Sequence, residues 1–375
     1  MNWDEWADVQ ARHIHAAGQW RAPRDLDGAG PTGTLAPEGR AVVHFASNDY
    51  LGLTQHPKVV AAAHDALDRW GSGAGSARLI VGSRPVHTEL ELALAHWKQA
   101  ESAVLFPTGF AANLGVITVF ADRDVLICSD ELNHASIIDG TRLAGAEVAI
   151  FPHRDLDALE SLIVQQANGR KVIVVSDTVF SMDGDLADTD KLLARCAHHG
   201  ALLILDEAHA VLGPDLHVDS AAPILRVGTL SKTLGALGGF VAGPRHLTDL
   251  IVNRARSYIF TTAPTPADTA AALAAVGIVT SQEGHELRAR LRRNIDQLRE
   301  GHPSPIIPVM CGEERRAVDA AAALLDRGLL VPAIRPPTVA PGTSRLRIAL
   351  SAAHTLDQIR ELRVALDALA LTEPR

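Results

Sequence analysis

Short apolar runs alternate with amphipathic stretches between about residue 45 and residue 265. The runs are apolar at consecutive positions, as in strands buried on both faces of a parallel sheet, and the stretches between them have the spaced apolar positions of crossover helices. This alternation predicts an α/β fold with a mainly parallel sheet. The predicted strands are 103–106, 125–128, 148–151, 172–176, 202–205, 226–230 and 240–242, and helices are predicted at 111–120, 155–167 and 188–199.

The same pattern divides the chain into three parts. Residues 1–44 contain a helical stretch and then a Pro- and Gly-rich stretch, and we expect an N-terminal arm because this part is too short to form its own core. Residues 45–265 are expected to form a large α/β domain. Pro264-Thr265-Pro266 precedes an Ala-rich helix and a charged helix at 283–300, and residues 266–375 are expected to form a smaller α+β domain.

The composition indicates an ordered protein with little attraction to polyanions. The chain of 375 residues is 47% hydrophobic and 21% charged, unlike the polar, highly charged composition of disordered chains. Its net charge of -9 provides no basic surface that could neutralise phosphates. Nucleic acids and membranes are therefore not expected partners.

The cysteines and the first residues indicate a cytoplasmic protein. Cys128, Cys196 and Cys311 are few, odd in number and far apart, which fits a reducing compartment better than a disulfide framework or a cysteine metal site. Asp4 and Glu5 lie where a signal peptide needs positive charge. No stretch approaches the roughly eighteen apolar residues of a membrane span.

Polar side chains follow three of the predicted strands directly. Ser181, Asp206 with His209, and Lys232 each follow a different strand, and ligands of open α/β sheets bind at the carboxyl ends of strands. A lysine can hold pyridoxal phosphate (PLP) as a Schiff base, and an aspartate can keep the pyridine nitrogen protonated so that the ring accepts electrons. Lys232 and Asp206 fit these two roles.

A phosphate site is expected at Thr108-Gly109-Phe110, just before the predicted helix 111–120. A helix N-terminus offers amide donors and a favourable dipole, and Gly109 lets the backbone approach closely. The signal is weak alone, because a glycine before a helix is more often only a turn.

The string Asp206-Glu207-Ala208-His209 also resembles the acidic motif of ATP-driven helicases. That interpretation requires a phosphate-binding loop of the form G-x-x-x-x-G-K-[ST]. The segment from Gly228 to Thr233 lacks the second glycine, and no other lysine fits the pattern. The helicase interpretation is therefore excluded.

Four ordered motifs resemble the α-oxoamine synthase family of PLP enzymes. They are Ser47-Asn48-Asp49-Tyr50-Leu51-Gly52-Leu53, GSGAGSARLIVG from Gly71 to Gly82, Phe180-Ser181-Met182-Asp183-Gly184-Asp185, and Asp206-Glu207-Ala208-His209. The resemblance runs from about residue 40 to residue 355 and is specific as a set. It implies a fold-type I PLP-dependent transferase, a homodimer with sites at the subunit interface, and the decarboxylative condensation of an amino acid with an acyl thioester.

The resemblance also implies roles for individual residues. Lys232 would hold the cofactor and then remove the Cα proton, Asp206 would pair with the ring nitrogen, and His209 would polarise the cofactor oxygen or the incoming carbonyl. His134 would stack on the ring, although a structural role is a serious alternative. The other implied cofactor contacts are Gly109, Phe110, Ser181 and Thr229, with Thr261 or Thr262 supplied to the neighbouring subunit's phosphate.

Within the family, the string from Ala333 to Arg347 most resembles the members that join L-alanine to a pimeloyl thioester, giving 8-amino-7-oxononanoate for biotin synthesis. The acyl group could arrive on coenzyme A or on an acyl carrier protein. Arg347 would bind the amino acid's carboxylate, which a planar guanidinium matches with two hydrogen bonds. Arg21, Asn48 and Thr338 would also contact the substrates.

Several alternatives remain open. A sister synthase such as a glycine C-acetyltransferase would use glycine and acetyl-CoA, and a non-catalytic aminotransferase-like binding module is disfavoured by the short arm and the acidic charge. Asp177 and Ala210 depart from the family's usual Glu and Gly. Asn48, Thr229 and Thr338 could be turn or capping residues. No metal site is expected, because His198-His199 lack further ligands at a fixed spacing.

Overall fold

The computed structural model describes residues 1–37, 39–214, 216 and 222–371. The chain divides into two compact units. The larger unit contains residues 47–307 and 349–359, and the smaller contains residues 1–46, 308–348 and 360–375. Within the described residues, no helix is both long enough and apolar enough to cross a membrane.

The strands of the described chain are β1 (Leu26–Ala29), β2 (Thr32–Leu35), β3 (Arg40–His44), β4 (Ser102–Phe106), β5 (Val125–Asp130), β6 (Glu147–Phe151), β7 (Lys171–Asp177), β8 (Leu202–Asp206), β9 (Ile224–Thr229), β10 (Gly239–Gly243), β11 (Ile306–Gly312), β12 (Leu329–Leu330), β13 (Ala333–Ile334) and β14 (Ser344–Ala349).

The α-helices are α1 (Trp3–Ala16), α2 (Pro57–Trp70), α3 (Pro85–Trp97), α4 (Gly109–Phe120), α5 (Ala135–Ala144), α6 (Leu156–Gln166), α7 (Thr189–His199), α8 (Arg245–Arg254), α9 (Arg256–Ile259), α10 (Pro266–Val279), α11 (Gln282–Leu298), α12 (Glu314–Asp326) and α13 (Leu356–Ala368). A short 3-10 turn lies at Leu53–Gln55 and a π turn at Arg78–Gly82.

The larger unit is built on a sheet with the order β4-β10-β9-β8-β7-β5-β6. Strands β5 to β9 pair in parallel, and β10 runs antiparallel to both β4 and β9. The prediction of a mainly parallel sheet is confirmed, and each of the seven predicted strands is present within two residues of its predicted bounds.

Both faces of this sheet are buried, which explains why its strands are apolar at consecutive positions. On β5, Val125 and Ile127 pack in one core cluster together with residues of α4. Leu126 and Cys128 pack in a second cluster with residues of α6 and α7. Helices therefore cover the sheet on both sides, and the carboxyl ends of its parallel strands share one edge.

Side-chain caps set the start of the helices that follow these strands. Thr108 Oγ1 accepts a hydrogen bond from the Ala111 amide at 3.0 Å and begins α4. The helix thus starts at Gly109, two residues before its predicted start, because the cap is Thr108. Asp155 and Asp188 cap α6 and α7 in the same manner.

The smaller unit contains a sheet of order β1-β2-β3-β12, in which β1, β2 and β3 pair antiparallel and β12 pairs parallel to β3. A second sheet has the order β11-β14-β13. Helix α1 begins with a capping box, in which Asn2 and Glu5 bond each other's amides, and none of its residues is buried.

Candidate active site

A cavity of about 210 Å³ lies at the carboxyl ends of the parallel strands of the larger unit. Asp177 and Asp206 are the last residues of β7 and β8 and are register partners, and Thr229 ends β9. The cavity is lined by Thr108, Gly109, Phe110, Asn113, His134, Ser136, Asp177, Ser181, Asp206, Ala208, His209, Gly228, Thr229, Ser231, Lys232 and Leu237. The structure therefore brings together the candidate residues that were drawn from three separate strand ends.

Asp206 is held by donors on both of its carboxylate oxygens. Asn113 Nδ2 donates to Oδ2 at 2.6 Å, and the Ala208 amide donates to Oδ1 at 2.9 Å. The carboxylate is 6% exposed. These two donors fix both oxygens of a buried carboxylate in the lining of the cavity.

Asp177, directly beside Asp206, has a different electrostatic environment. Burial, and then the negative charge of Asp206, raise the pKa of Asp177 well above its usual value. Burial and the charge of Asp206 thus favour the neutral acid at Asp177, directly beside that charge.

Lys232 begins a chain of hydrogen bonds that ends at Asn48. Its Nζ lies 2.7 Å from His209 Nε2, and His209 Nδ1 lies 2.6 Å from the Tyr50 hydroxyl. Tyr50 in turn donates to Asn48 Oδ1 at 3.1 Å. With the Lys232 ammonium as first donor, each later group accepts one bond and donates the next. The chain therefore assigns the His209 proton to Nδ1 and leaves Nε2 as the acceptor for Lys232.

His134 is the N-cap residue of α5, and its ring is fixed from one side. Nδ1 accepts from the Ser136 amide at 3.2 Å and lies 2.7 Å from Ser136 Oγ, which itself accepts from Asn113 Nδ2 at 2.9 Å. Burial lowers the pKa of His134, with Lys232 adding to this effect and Asp206 opposing it. Burial thus favours a neutral imidazole in the lining of the cavity.

The opposite end of the cavity provides donors for an anion. Gly109 and Phe110 are the first residues of α4, and the first amides of a helix have no partner within it. A Cβ at Gly109 would lie 3.2 Å from Thr229 Cβ, so the glycine lets the helix start pack against β9. The hydroxyls of Thr229 and Ser231 lie 2.7 Å apart beside it.

A buried ion-pair cluster lies behind the turn that carries Asp206 and His209. Glu207 Oε2 lies 2.7 Å from Lys98 Nζ, and Glu207 Oε1 lies 2.6 Å from Arg226 Nε. Burial favours the neutral acid, but the two cations outweigh it and lower the pKa of Glu207. The cluster anchors the end of β8 from the side away from the cavity residues.

These residues fit PLP. Its phosphate matches the helix start and hydroxyls at Gly109, Phe110 and Thr229, and its aldehyde matches the amine of Lys232. The buried carboxylate of Asp206 suits a protonated ring nitrogen. The cavity thus offers a partner for each polar end of the cofactor.

The structure does not bring every candidate residue to this cavity. Thr261 is half-buried and Thr262 is exposed in the segment between α9 and α10, and neither lines it. Arg21, Thr338 and Arg347 belong to the smaller unit. There, Arg21 Nη2 donates to Thr338 Oγ1 at 3.4 Å, and Arg347 is buried on β14.

Sequence reasoning missed four polar side chains of the site: Asn113, Ser136, Tyr50 and Ser231. Asn113 lies in the second turn of a helix whose other residues, apart from Thr118, are apolar, and its Oδ1 atom is buried with no partner among the described residues. A lone buried amide of this kind is the one local signal that could have identified it.

The histidine pair outside the cavity has a partner that the sequence did not reveal. Within the described residues, Glu160, His198 and His199 have one potential ligand atom each within 4.8 Å of one another. His199 Nε2 lies 2.7 Å from Glu160 Oε1, and Arg195 Nη1 lies 3.1 Å from Glu160 Oε2. Helix packing brings α6 against α7, so the pair has a carboxylate partner that no fixed spacing in the sequence reveals. Both oxygens of Glu160 are already engaged by these ion pairs.

Comparison with known proteins agrees with this architecture. The sequence profile of the family "Aminotransferase class I and II" matches residues 40–366. The chain belongs to the class I and II aminotransferase family. The resemblance to the α-oxoamine synthases is also confirmed, because the chain is 44% identical over 385 residues to the 8-amino-7-oxononanoate synthase of Anaeromyxobacter dehalogenans, covering 97% of this chain and 95% of that protein.

Other relatives of this aminotransferase-family chain include the 8-amino-7-oxononanoate synthase of Geobacter sulfurreducens, which is 42% identical over 92% of this chain and 93% of its own length. Among solved structures, serine palmitoyltransferase from S. paucimobilis with a bound PLP–myriocin aldimine has a TM-score of 0.90 at 29% identity, with 98% of both chains covered. The 8-amino-7-oxononanoate synthase of Francisella tularensis has a TM-score of 0.73 at 26% identity over 88% of this chain and 98% of that one.

Proposed function

We propose that this chain is a PLP-dependent acyltransferase that joins L-alanine to a pimeloyl thioester, releasing carbon dioxide and the free thiol and forming 8-amino-7-oxononanoate for biotin synthesis. The observation that carries the proposal is the meeting of Lys232, Asp206 and the start of α4 in one cavity. The substrate assignment rests on relatives that are 8-amino-7-oxononanoate synthases and are 42–44% identical over most of the chain.

The cofactor, when bound, accepts the electron pair left at the amino acid's Cα. Lys232 is the residue we propose to hold it and then, once displaced by the substrate amine, to take the Cα proton on Nζ. His209 Nε2, 2.7 Å from that Nζ, keeps the amine at its position through the step. Asp206 holds a proton on the ring nitrogen, a charge pair that is poorly screened because the carboxylate is buried.

His134 and Ser181 complete the proposed cofactor contacts. A neutral His134 suits stacking on a cationic ring, because a protonated imidazole would repel it. Ser181 is a hydroxyl donor for the phenolic oxygen. His209 would polarise that oxygen or the incoming carbonyl after Lys232 has passed a proton to its Nε2. Orientation of two bound substrates can contribute roughly 7 to 11 kcal/mol, so these fixed side chains supply much of the catalysis.

Arg347, Asn48, Thr338 and Arg21 are proposed as substrate contacts, with Arg347 on the amino acid's carboxylate. The hydrogen bond between Arg21 and Thr338, both in the smaller unit, supports a shared task for these two residues. We assign Arg21 to the distal polar end of the pimeloyl chain. An assay with both donors identifies whether the acyl group arrives on coenzyme A or on a carrier protein.

We also infer that the enzyme is a cytoplasmic homodimer. Leu79, Ile80 and Val81 are 51%, 73% and 69% exposed in one contiguous turn, and Phe260 is 69% exposed. Contiguous apolar surface of this kind favours a protein interface, and Thr261 and Thr262 beside Phe260 would then reach the neighbouring subunit's phosphate. The three cysteines are free and buried, which suits a reducing compartment.

The proposal is tested by assaying purified protein with four pairs of substrates: alanine or glycine with pimeloyl-CoA or acetyl-CoA. Alanine with a pimeloyl thioester should react fastest, and pimeloyl-loaded carrier protein tested in parallel identifies the donor. A faster reaction of glycine with acetyl-CoA overturns the substrate assignment and leaves the cofactor assignment intact.

A further inference from the structure

Ser181 lies on a loop of residues 179–186 that has little regular structure to hold it. Val179 and Leu186 form an isolated antiparallel bridge at its base. The Phe180 amide donates to Asp185 O at 3.1 Å, and the Gly184 amide donates to Phe180 O at 2.8 Å. The position of Ser181 in the cavity therefore depends on whatever fixes this loop to the sheet.

His153 connects the loop to the end of β5. Its Nδ1 lies 3.0 Å from Asp130 Oδ1, and its Nε2 lies 2.8 Å from Asp185 Oδ2. The imidazole also packs against the Phe180 ring, with centroids 4.3 Å apart and planes at 88°. One side chain thus spans from the sheet edge to the residue directly before Ser181.

The same sheet-end carboxylate also orients the segment that carries His134. Asp130 Oδ1 accepts from the Leu132 amide at 2.9 Å, two residues before His134. Asp130 Oδ2 accepts from the Arg154 amide at 2.9 Å. The Asp130–His153–Asp185 bridge is therefore attached to two of the segments that line the cofactor cavity.

Both partners of His153 are carboxylates, which only accept hydrogen bonds, so both ring nitrogens must donate. A neutral imidazole has one N–H and can make one of these bonds. Burial opposes the charged ring, but the hydrogen bonds to Asp130 and Asp185 outweigh it and raise the pKa of His153 to about 9.

Other charged groups face this bridge from neighbouring segments. Arg154 Nη1 lies 3.1 Å from Asp185 Oδ2, and His302, after α11, lies near Asp185. Burial lowers the pKa of His302, so it carries no charge when His153 titrates. The pKa of Asp185 is lowered, since His153 and Arg154 outweigh the effect of its burial. Asp185 thus stays ionised across the range in which His153 loses its proton.

We propose that His153 is a positioning residue that holds the Ser181 loop against the end of β5 by donating one hydrogen bond to Asp130 and one to Asp185. Loss of its proton leaves one of the two bonds unmade and loosens the loop, which Arg154 still joins to Asp130. Cofactor affinity should therefore have an alkaline limit set by His153. The inference concerns Ser181's position towards the cofactor and so rests on the proposed function.

The first test measures amide hydrogen exchange of the peptide covering residues 179–186 in protein without cofactor. His153→Gln retains size and can donate only from one end of its amide, so exchange of this peptide should become roughly tenfold faster or more. His199→Gln is the matched control, because it removes another histidine–carboxylate bond, of 2.7 Å, away from the cavity. Unchanged exchange in His153→Gln would overturn the proposal.

The second test measures PLP dissociation constants between pH 7 and pH 10 for wild type and His153→Gln. Wild type should bind roughly tenfold more tightly at pH 7, and this advantage should disappear as the pH rises through about 9. In a Ser181→Ala background, His153→Gln should change the PLP dissociation constant less than it does in wild type, because His153 acts through Ser181. A pH-independent difference, or full additivity with Ser181→Ala, contradicts the proposal.

The wild-type protein provides a readout if the variant does not fold. Its His153 ring resonance, assigned by comparison with an Asp185→Asn variant that shifts it, should titrate near pH 9 rather than near the ordinary value of about 6.5. Titration near the ordinary value would overturn the proposal. A wild type that binds no PLP, while loop exchange still depends on His153, contradicts the proposed function and leaves the positioning role standing.

Discussion

The contrast between Asp206 and Asp177 gives the sharpest mutational prediction. The two residues are register partners at the ends of adjacent strands, and both line the cavity. Replacing either one by Asn keeps the shape and removes the ability to carry charge. Asp206→Asn should slow the reaction strongly, whereas Asp177→Asn should change it little, because burial and the charge of Asp206 already favour the neutral acid at Asp177.

The magnitudes follow from the contacts. Asp206→Asn breaks a buried charge pair with the ring nitrogen, which costs about 3 to 5 kcal/mol, or a rate loss of roughly 10² to 10⁴. Its neighbour Asn113 could turn its unpartnered Oδ1 towards the new amide, so the variant should still fold and bind some cofactor. Asp177→Asn replaces a carboxyl whose neutral form is already favoured, so it should cost less than about 1 kcal/mol.

The assay is exchange of the alanine Cα proton in D₂O, followed by NMR, because it reports proton removal without the acyl donor. Cofactor binding is measured by absorbance in parallel, so that loss of binding and loss of chemistry are separated. Equal losses in the two variants would refute the electrostatic assignment. A larger loss of exchange rate in Asp177→Asn would assign the ring-nitrogen partner to Asp177 instead of Asp206.

Three further predictions concern stability and substrate selection. Glu207→Gln leaves Lys98 and Arg226 buried without a counter-charge, so chemical denaturation should show a loss of about 3 to 5 kcal/mol; an unchanged midpoint contradicts this. Gly184→Ala should destabilise more than Gly200→Ala, since both have positive φ but only the first would push a Cβ into Ile306 O; equal thermal shifts contradict it. Arg21→Ala should lower kcat/KM roughly tenfold to hundredfold for pimeloyl thioesters alone. An equal loss of kcat/KM with acetyl-CoA would contradict a contact between Arg21 and the pimeloyl chain.

The strands and the reacting groups were predictable from sequence because each has a strong local signal. Strands buried on both faces are apolar at consecutive positions, so all seven strands of the large sheet could be assigned. Asp206, His209 and Lys232 follow strand ends directly, and the rule that parallel strands end at one edge was sufficient to group them.

The supporting residues were not predictable, because their partners are distant in sequence. Asn113 bonds Asp206, 93 residues away, and Tyr50 bonds His209, 159 residues away. His153 reaches Asp185 across 32 residues. Such contacts depend on helix and loop packing, which neither periodicity nor local motifs encode. The start of α4 was missed by two residues because Gly109 and Phe110 were assigned to a phosphate-binding segment before the helix.

The attachment of the cofactor at Lys232 is the central claim, and one measurement tests it directly. Purified protein saturated with PLP is reduced with borohydride, digested and mapped by mass spectrometry. In the wild type, Lys232 Nζ lies 2.7 Å from His209 Nε2. The account predicts that the reduced cofactor is found on Lys232 and that the Lys232→Ala variant yields no covalently labelled peptide. A label on another lysine, or one that persists in Lys232→Ala, would contradict the assignment.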